Sequence, residues 1–256
     1  MNIARSSCRW LLRAPAAAVA GRIRLFCLPH AGGGAAAYLS WAAALGPGVE
    51  VLPLQPPGRE NRFNELPLRD MAGFVAEALA AVGPVTDTPY VLYGHSMGAV
   101  VAYQLTQILR RHNLPMPALL VLSGSRAPYL ADPRPLLSSL EDAALVEAVQ
   151  SRYGVQFEPE LLEVLHATLP TLRADLQVIE SRSFEPQPPL PVPMLVMAGE
   201  SDPGVTLADA RQWERHTCAT FTFKLFAGAH FFNATQRDAV LRSLIQAIAA
   251  VRQASA

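Results

Sequence analysis

The sequence predicts an α/β protein: a mostly parallel, doubly wound sheet in a single domain spanning residues 1–256, with a helical segment of about residues 130–190 inserted in it. Three observations carry this expectation. Short β-rich apolar runs alternate with helical patterns, the order expected of an open sheet wrapped by helices. The runs are apolar throughout rather than at every second residue, as strands buried on both faces are. One long stretch shows helical spacing only.

The elements follow in order. The runs "IRLFCLP" (Ile23–Pro29) and "VEVLPLQ" (Val49–Gln55) give the first two strands. A helical pattern at Leu68–Ala81 leads to "YVLYG" (Tyr90–Gly94), and a second at Met97–His112 leads to "ALLVLSG" (Ala118–Gly124). After the insert come "MLVMAG" (Met194–Gly199), a helical pattern at Leu207–His216, "FTFKLFAG" (Phe221–Gly228) and a last helix at Arg237–Arg252. Within the insert, Leu161, Leu165 and Leu169, then Leu172, Leu176 and Ile179, recur at helical spacing, with Pro170 expected to open a second helix. Such an insert is most simply a cap over the sheet's carboxyl edge, where open α/β sheets bind ligands.

Composition bounds the function. A chain of 256 residues buries roughly three quarters of its unfolded surface, so a self-sufficient core is expected. With 51% apolar and 16% charged residues it is no disordered chain, and its zero net charge gives no ground for a nucleic-acid or acidic-membrane partner. No run reaches the ~18 apolar residues of a membrane span. Cys8, Cys27 and Cys218 match no zinc or CxxC spacing; Cys27 is expected to pack as a small hydrophobe, and the set points to a reducing compartment. Arg13 and Pro15 interrupt the apolar centre that a secretory signal needs, so a cytoplasmic protein with a short leading arm is expected. Ala131–Leu190 holds ten acidic residues against four arginines, net −6, and leaves +6 on the rest. Acidic helix faces in solvent explain this, as does an arginine-rich core face that meets an acidic partner.

The chemistry centres on "YGHSMGAV", Tyr93–Val100, a Gly-x-Ser-x-Gly motif. Alone it is weak, since roughly one chain in ten of this length holds it by accident at average glycine usage. Here it follows a strand and opens an amphipathic helix, as a nucleophile elbow requires, although Ser96 also suits a helix N-cap. A serine hydroxyl needs a base held by a third group, and this architecture orders them Ser, Asp or Glu, His. His112 falls at a helix end, and His166 and His216 within helical patterns. His230, in "FAGAHFFN" directly after the last strand, is positioned to be the base. The acid comes from "MAGESDPGV", where the Pro203–Gly204 turn favours Asp202 over Glu200; Asp142 and Asp175 read as surface charges. An oxyanion site takes the Met97 N–H and a second backbone donor from an early loop, for which the glycines of "PHAGGGAAAY" (Pro29–Tyr38) are suited. The phosphate-binding patterns GxxxxGK[ST] and GxGxxG are absent in their proper settings.

Together, "RLFCLPHAGGGA", "LPLQPPGRENR", "VLYGHSMGAVVAYQL", "LLVLSGSRAP" and "GAHFF", running in this order from Arg24 to Phe232, resemble the type II thioesterases, the stand-alone editing enzymes of nonribosomal peptide and polyketide assembly. The resemblance implies the α/β-hydrolase fold with the insert as a lid. It places nucleophile, acid and base at Ser96, Asp202 and His230, and the oxyanion donors at Met97 and Ala31. It implies acyl thioesters on the phosphopantetheine arm of an acyl or peptidyl carrier protein as substrates. No metal or cofactor of the enzyme's own, no nucleic acid and no membrane are expected, and a monomer is expected. A carboxylesterase, a lipase or a cyclising thioesterase is the alternative on the same fold. Carrier proteins are generally acidic, so Arg59, Arg62 and Arg126 become candidate contacts, although Arg59 and Glu60 also suit a structural pair. Two departures from the family pattern are Asn233 in "HFFN" and the acid turn "ESDPGV".

Overall fold

The computed structural model describes residues 9–12, 16, 21–130, 134–156, 162–183 and 185–254. Six strands form one sheet: β1 (Ile23–Leu28), β2 (Val49–Pro53), β3 (Tyr90–His95), β4 (Leu119–Ser123), β5 (Met194–Gly199) and β6 (Phe221–Phe226). Their order is β2-β1-β3-β4-β5-β6, and every pairing is parallel. Each expected strand is present.

In β1 to β5 side chains alternate between two cores, which is why these runs are apolar at nearly every position, whereas the edge strand β6 is largely exposed. Leu25, Cys27, Val91, Tyr93, Val121 and Leu195 point into one core, closed by α1 (Ala36–Leu39), α2 (Trp41–Leu45) and α9 (Arg237–Ala254). Phe26, Leu28, Leu92, Leu120, Leu122 and Val196 point into the other, closed by α3 (Met71–Val82), α4 (Met97–Arg111) and α7 (Leu207–Arg211). Trp10, from the leading arm, is buried edge-on against Phe74, and its carbonyl accepts from the Gln55 N–H at 2.7 Å. Cys27 is buried and Cys218 exposed. Cys8 and most of the stretch read for a secretory signal lie outside the described residues. Among the described residues no helix is long and apolar enough to cross a membrane.

The insert between β4 and β5 forms α5 (Asp142–Tyr153) and α6 (Leu162–Glu180), with a small core of their own around Leu137, Leu145, Val149, Leu169, Leu172 and Leu176. Pro170 opens no new helix: α6 runs through it without a break. An interior proline forfeits the bond to the carbonyl four residues back. Here that carbonyl belongs to exposed His166, while Leu169, Leu172 and Leu176 hold the helix down from the other face. Packing overrides propensity at this position.

The strand order reverses between β1 and β3, so the loops leaving their carboxyl ends lie side by side. Open α/β sheets bind ligands at such a switch point. Here the two loops are residues 29–35 and the turn at Ser96.

Candidate active site

Ser96 joins β3 to α4 with φ +54° and ψ −115°, a backbone state that costs a non-glycine residue about 1–3 kcal/mol. The turn is so tight that a β-carbon on Gly94 would collide with the Gly98 carbonyl, and one on Gly98 with the Leu28 carbonyl of β1. The two glycines of the motif are therefore required by close approach. Ser96 makes no side-chain cap on α4. Its hydroxyl instead bonds His230 Nε2 at 2.9 Å.

His230 sits in the turn after β6, buried, and its Nδ1 meets Asp202 Oδ2 at 2.7 Å. The other Asp202 oxygen accepts from the backbone N–H groups of Gly204 (2.8 Å) and Val205 (3.2 Å). The Asp-Pro-Gly turn thus fixes the carboxylate through its own backbone, as such turns do. Glu200, the alternative acid, is exposed. His112 is the C-cap residue of α4, and His216 is buried against Tyr103. Asn233 is buried in the short helix α8 (Phe232–Thr235) and leaves the Ser96–His230–Asp202 chain intact.

The loop after β1 is built from outside itself. Gln55 Oε1 accepts from Ala35 N–H at 2.7 Å, and Glu60 accepts from Ala36 N–H at 3.2 Å. Gly32 has φ +77°, and its N–H donates to Asp175 Oδ2 of α6 at 2.7 Å. Arg59 grips the same carboxylate in two places, Nη1–Oδ2 at 2.5 Å and Nη2–Oδ1 at 2.8 Å, and donates to the Gly33 carbonyl at 3.0 Å. Three expectations change here. Asp175 is fully buried rather than a surface charge, and Arg59 pairs with it and not with Glu60. Nor do the three candidate docking arginines face outward unengaged. Arg59 is buried, Arg62 is held by Glu65 at 2.7 Å and Arg126 by Asp209 at 3.1 Å.

A cavity of about 190 Å³ is lined by Ser96 and His230 together with Ala31 and Gly32. Val149, Leu165, Leu172 and Leu176 of the insert supply an apolar wall. Neither the Ala31 nor the Met97 N–H has an acceptor among the described residues. Two further imidazoles lie close: His95, 5.2 Å from the His230 ring, and His30, 4.8 Å from Phe231. Burial holds the His95 pKa well below its usual range, with His230 and His30 adding to the effect. Burial first, then His230 and Arg59, lowers His30 to about 4. Both are neutral at neutral pH, so neither competes for charge with an imidazolium at position 230. Activation of a hydroxyl for attack on a carbonyl is what such a constellation can do.

Residues 23–248 match the thioesterase domain family. The chain belongs to the thioesterase family. It is 33% identical over 248 residues to the Brevibacillus parabrevis protein named linear gramicidin dehydrogenase LgrE, covering 94% of each chain. It is 33% identical over 217 residues to the gramicidin S biosynthesis protein GrsT of Aneurinibacillus migulanus, covering 83% and 84%. Its fold superposes on the type II thioesterase BorB from the borrelidin biosynthetic cluster with TM-score 0.83 at 33% identity, over 93% and 97% of the two chains. This thioesterase is an α/β hydrolase that acts on thioester bonds, and it stands with the type II class.

Proposed function

We propose that this thioesterase removes acyl groups from the phosphopantetheine arm of acyl or peptidyl carrier proteins in a nonribosomal peptide or polyketide pathway, through an acyl-enzyme on Ser96. The observation that carries the mechanism is His230 bridging Ser96 and Asp202 at 2.9 and 2.7 Å, with Ser96 and His230 lining the cavity. Ser96 Oγ bonds to the thioester carbonyl carbon while His230 Nε2 takes its proton, and Asp202 stabilises the imidazolium. The Met97 and Ala31 N–H groups receive the oxyanion. As the intermediate collapses, the C–S bond breaks and His230 returns its proton to sulfur, releasing a thiol whose ordinary pKa is ~8.5. Water then enters, gives its proton to His230 and bonds to the acyl carbon. Collapse frees the carboxylic acid and restores the Ser96 hydroxyl. No step calls for a cofactor, and a monomer suffices.

The pathway assignment is supported by the kinship with GrsT and BorB, which are themselves named for gramicidin S biosynthesis and the borrelidin biosynthetic cluster. The cavity's modest volume and apolar wall suit short acyl chains, and α5 and α6 act as the lid over them.

Release of an acyl group from loaded carrier protein tests the proposal. Ser96→Ala is expected to abolish both turnover and fluorophosphonate labelling, with the protein still folded. Retained labelling in that variant rejects Ser96 as the nucleophile. A strong preference for the matching oxygen ester, with no action on acyl carrier protein, would replace this function with that of a carboxylesterase, and a cyclic product would mark a cyclising enzyme.

A further inference from the structure

Resting on the assignment of the Ala31 N–H as an oxyanion donor, we propose that Asp175 is a positioning residue. From the inserted helix α6 it sets the orientation of the loop that carries that donor. The loop cannot fix itself. Its three consecutive glycines carry no side chains, one of them has positive φ, and its only internal backbone bond is Gly33 N–H to the His30 carbonyl at 3.0 Å. Glycine is the residue with the most backbone freedom to lose. What holds the segment is the pair of bonds on either side of the Gly32–Gly33 peptide. Asp175 takes the Gly32 N–H, and Arg59, itself clamped by Asp175, donates to the Gly33 carbonyl. The first of these acts on the peptide immediately following Ala31, so it governs the direction in which residue 31 presents its own N–H to the cavity.

Two further details fit a positioning role rather than simple glue. One turn earlier on α6, the Thr171 hydroxyl donates to the Gly58 carbonyl at 2.5 Å, so the helix grips the Arg59 loop at two successive turns. A bare carboxylate bonded to the loop that lines the cavity would oppose negative charge developing there. Arg59 cancels it with a two-point pair, 4% exposed on one side and 0% on the other. Asp175 therefore holds the loop without opposing the oxyanion. The helix that forms the lid is thus part of the catalytic frame.

Removing one member of a buried pair leaves the other charge uncompensated, so a single variant mixes folding with catalysis. The test accordingly uses Asp175→Asn and the double variant Arg59→Met/Asp175→Leu, in which apolar side chains fill the place of the pair. Three quantities are measured on the full chain: melting temperature, kcat and KM on a short acyl thioester of N-acetylcysteamine, and inhibition by the matching acyl trifluoromethyl ketone. Ser96 Oγ adds to the ketone's carbonyl carbon as its proton passes to His230 Nε2, and the carbonyl π electrons move to oxygen, which leaves an oxyanion in the same place as the reaction does. The double variant is expected to melt near the parent temperature yet lose about 10- to 100-fold in kcat with KM within about 3-fold. Its affinity for the ketone should fall by the same factor as kcat/KM. Asp175→Asn is expected to lose both stability and kcat. Parental kcat and ketone affinity in a stable double variant overturn the proposal, because the pair is then only structural. That result leaves the Ser96 mechanism standing, whereas turnover by Ser96→Ala removes the mechanism itself. If Asp175→Asn fails to fold, the double variant alone decides.

Discussion

The two helices of the insert are fastened in different ways. α6 is bound by directional polar contacts, the buried ones Asp175 to Arg59 and Thr171 to Gly58, the part-buried ones Asp175 to the Gly32 N–H and the Ser181 hydroxyl, just past its end, to the Met71 N–H at 3.0 Å. It also packs against α3 and α4. α5 buries only Leu145 and Val149. Its N-cap, Glu141, makes no side-chain cap. Its carboxyl end rests on the loops that carry Asp202 and His230, with the Tyr153 ring 4.5 Å from that of His230 and Gly154 against Ala229 and Pro203. Polar contacts in a dry interior demand one geometry and are costly to break one at a time. Apolar contacts can be broken and remade in several arrangements at smaller cost. The difference teaches that α6 belongs to the frame of the site while α5 is its cover.

Hydrogen exchange offers the widest margin for breaking this comparison. Elements with few buried contacts open at free energies well below global unfolding. The amides of α5 are therefore expected to exchange at least about 100-fold faster than those of the second half of α6, a gap of ~2.8 kcal/mol at 1.4 per decade. Equal protection of the two helices would dissolve the distinction between frame and cover.

Acid sharpens it by a smaller amount. His30, under the frame, has its pKa lowered to about 4, and His216 likewise, against ~6.5 in an unfolded chain. A group depressed in the folded state binds its proton more readily when unfolded. Its stabilisation is complete above pH 6.5 and is lost as the pH falls towards 4. Each such imidazole should steepen the loss by up to ~1.4 kcal/mol per pH unit within that window. Urea unfolding between pH 7.5 and 4.5 reads the slope, and His216→Gln should flatten it. A flat profile in the parent chain would mean that these imidazoles accept protons without penalty. In the same window, protonated His30 would face Arg59 across the glycine loop, so the frame should loosen before the sheet does.

What the sequence made legible follows the range of the physics involved. The six strands, the elbow and the Asp202 turn are local matters, written in consecutive residues: apolar runs, paired glycines, Asp-Pro-Gly. His230 could be singled out as the candidate base because strand ends and chain order confine where one can stand. Asp175 was misread because a charge on an amphipathic helix ordinarily faces water. Its position held the contrary signal, since residue 175 lies three after Leu172 and four before Ile179, on the helix's apolar stripe. A charge on that stripe calls for a buried partner, and only the fold reveals that it is Arg59, 116 residues away. The short helices α1, α2 and α8, four or five residues each, are too brief to show a period.

The smallest expected effect is also a direct contrast with the buried pair. Asp142 opens α5 and pairs with Arg173 of α6 at 2.6 Å, the same two residue types that lock the frame elsewhere. Here, however, the carboxylate is 63% exposed, and water screens the pair. Exposed pairs contribute about 0–1 kcal/mol, because the attraction is weak in high dielectric and two side chains must be ordered to make it. Arg173 also keeps its bonds to the Ser138 and Leu140 carbonyls when the carboxylate is gone. Asp142→Ala should therefore shift the urea midpoint by no more than about 0.5 kcal/mol equivalent and leave kcat within about 2-fold. A loss of several kcal/mol would show that α5 is tied to α6 as firmly as α6 is tied to the core, and the cover would then have to move together with the frame.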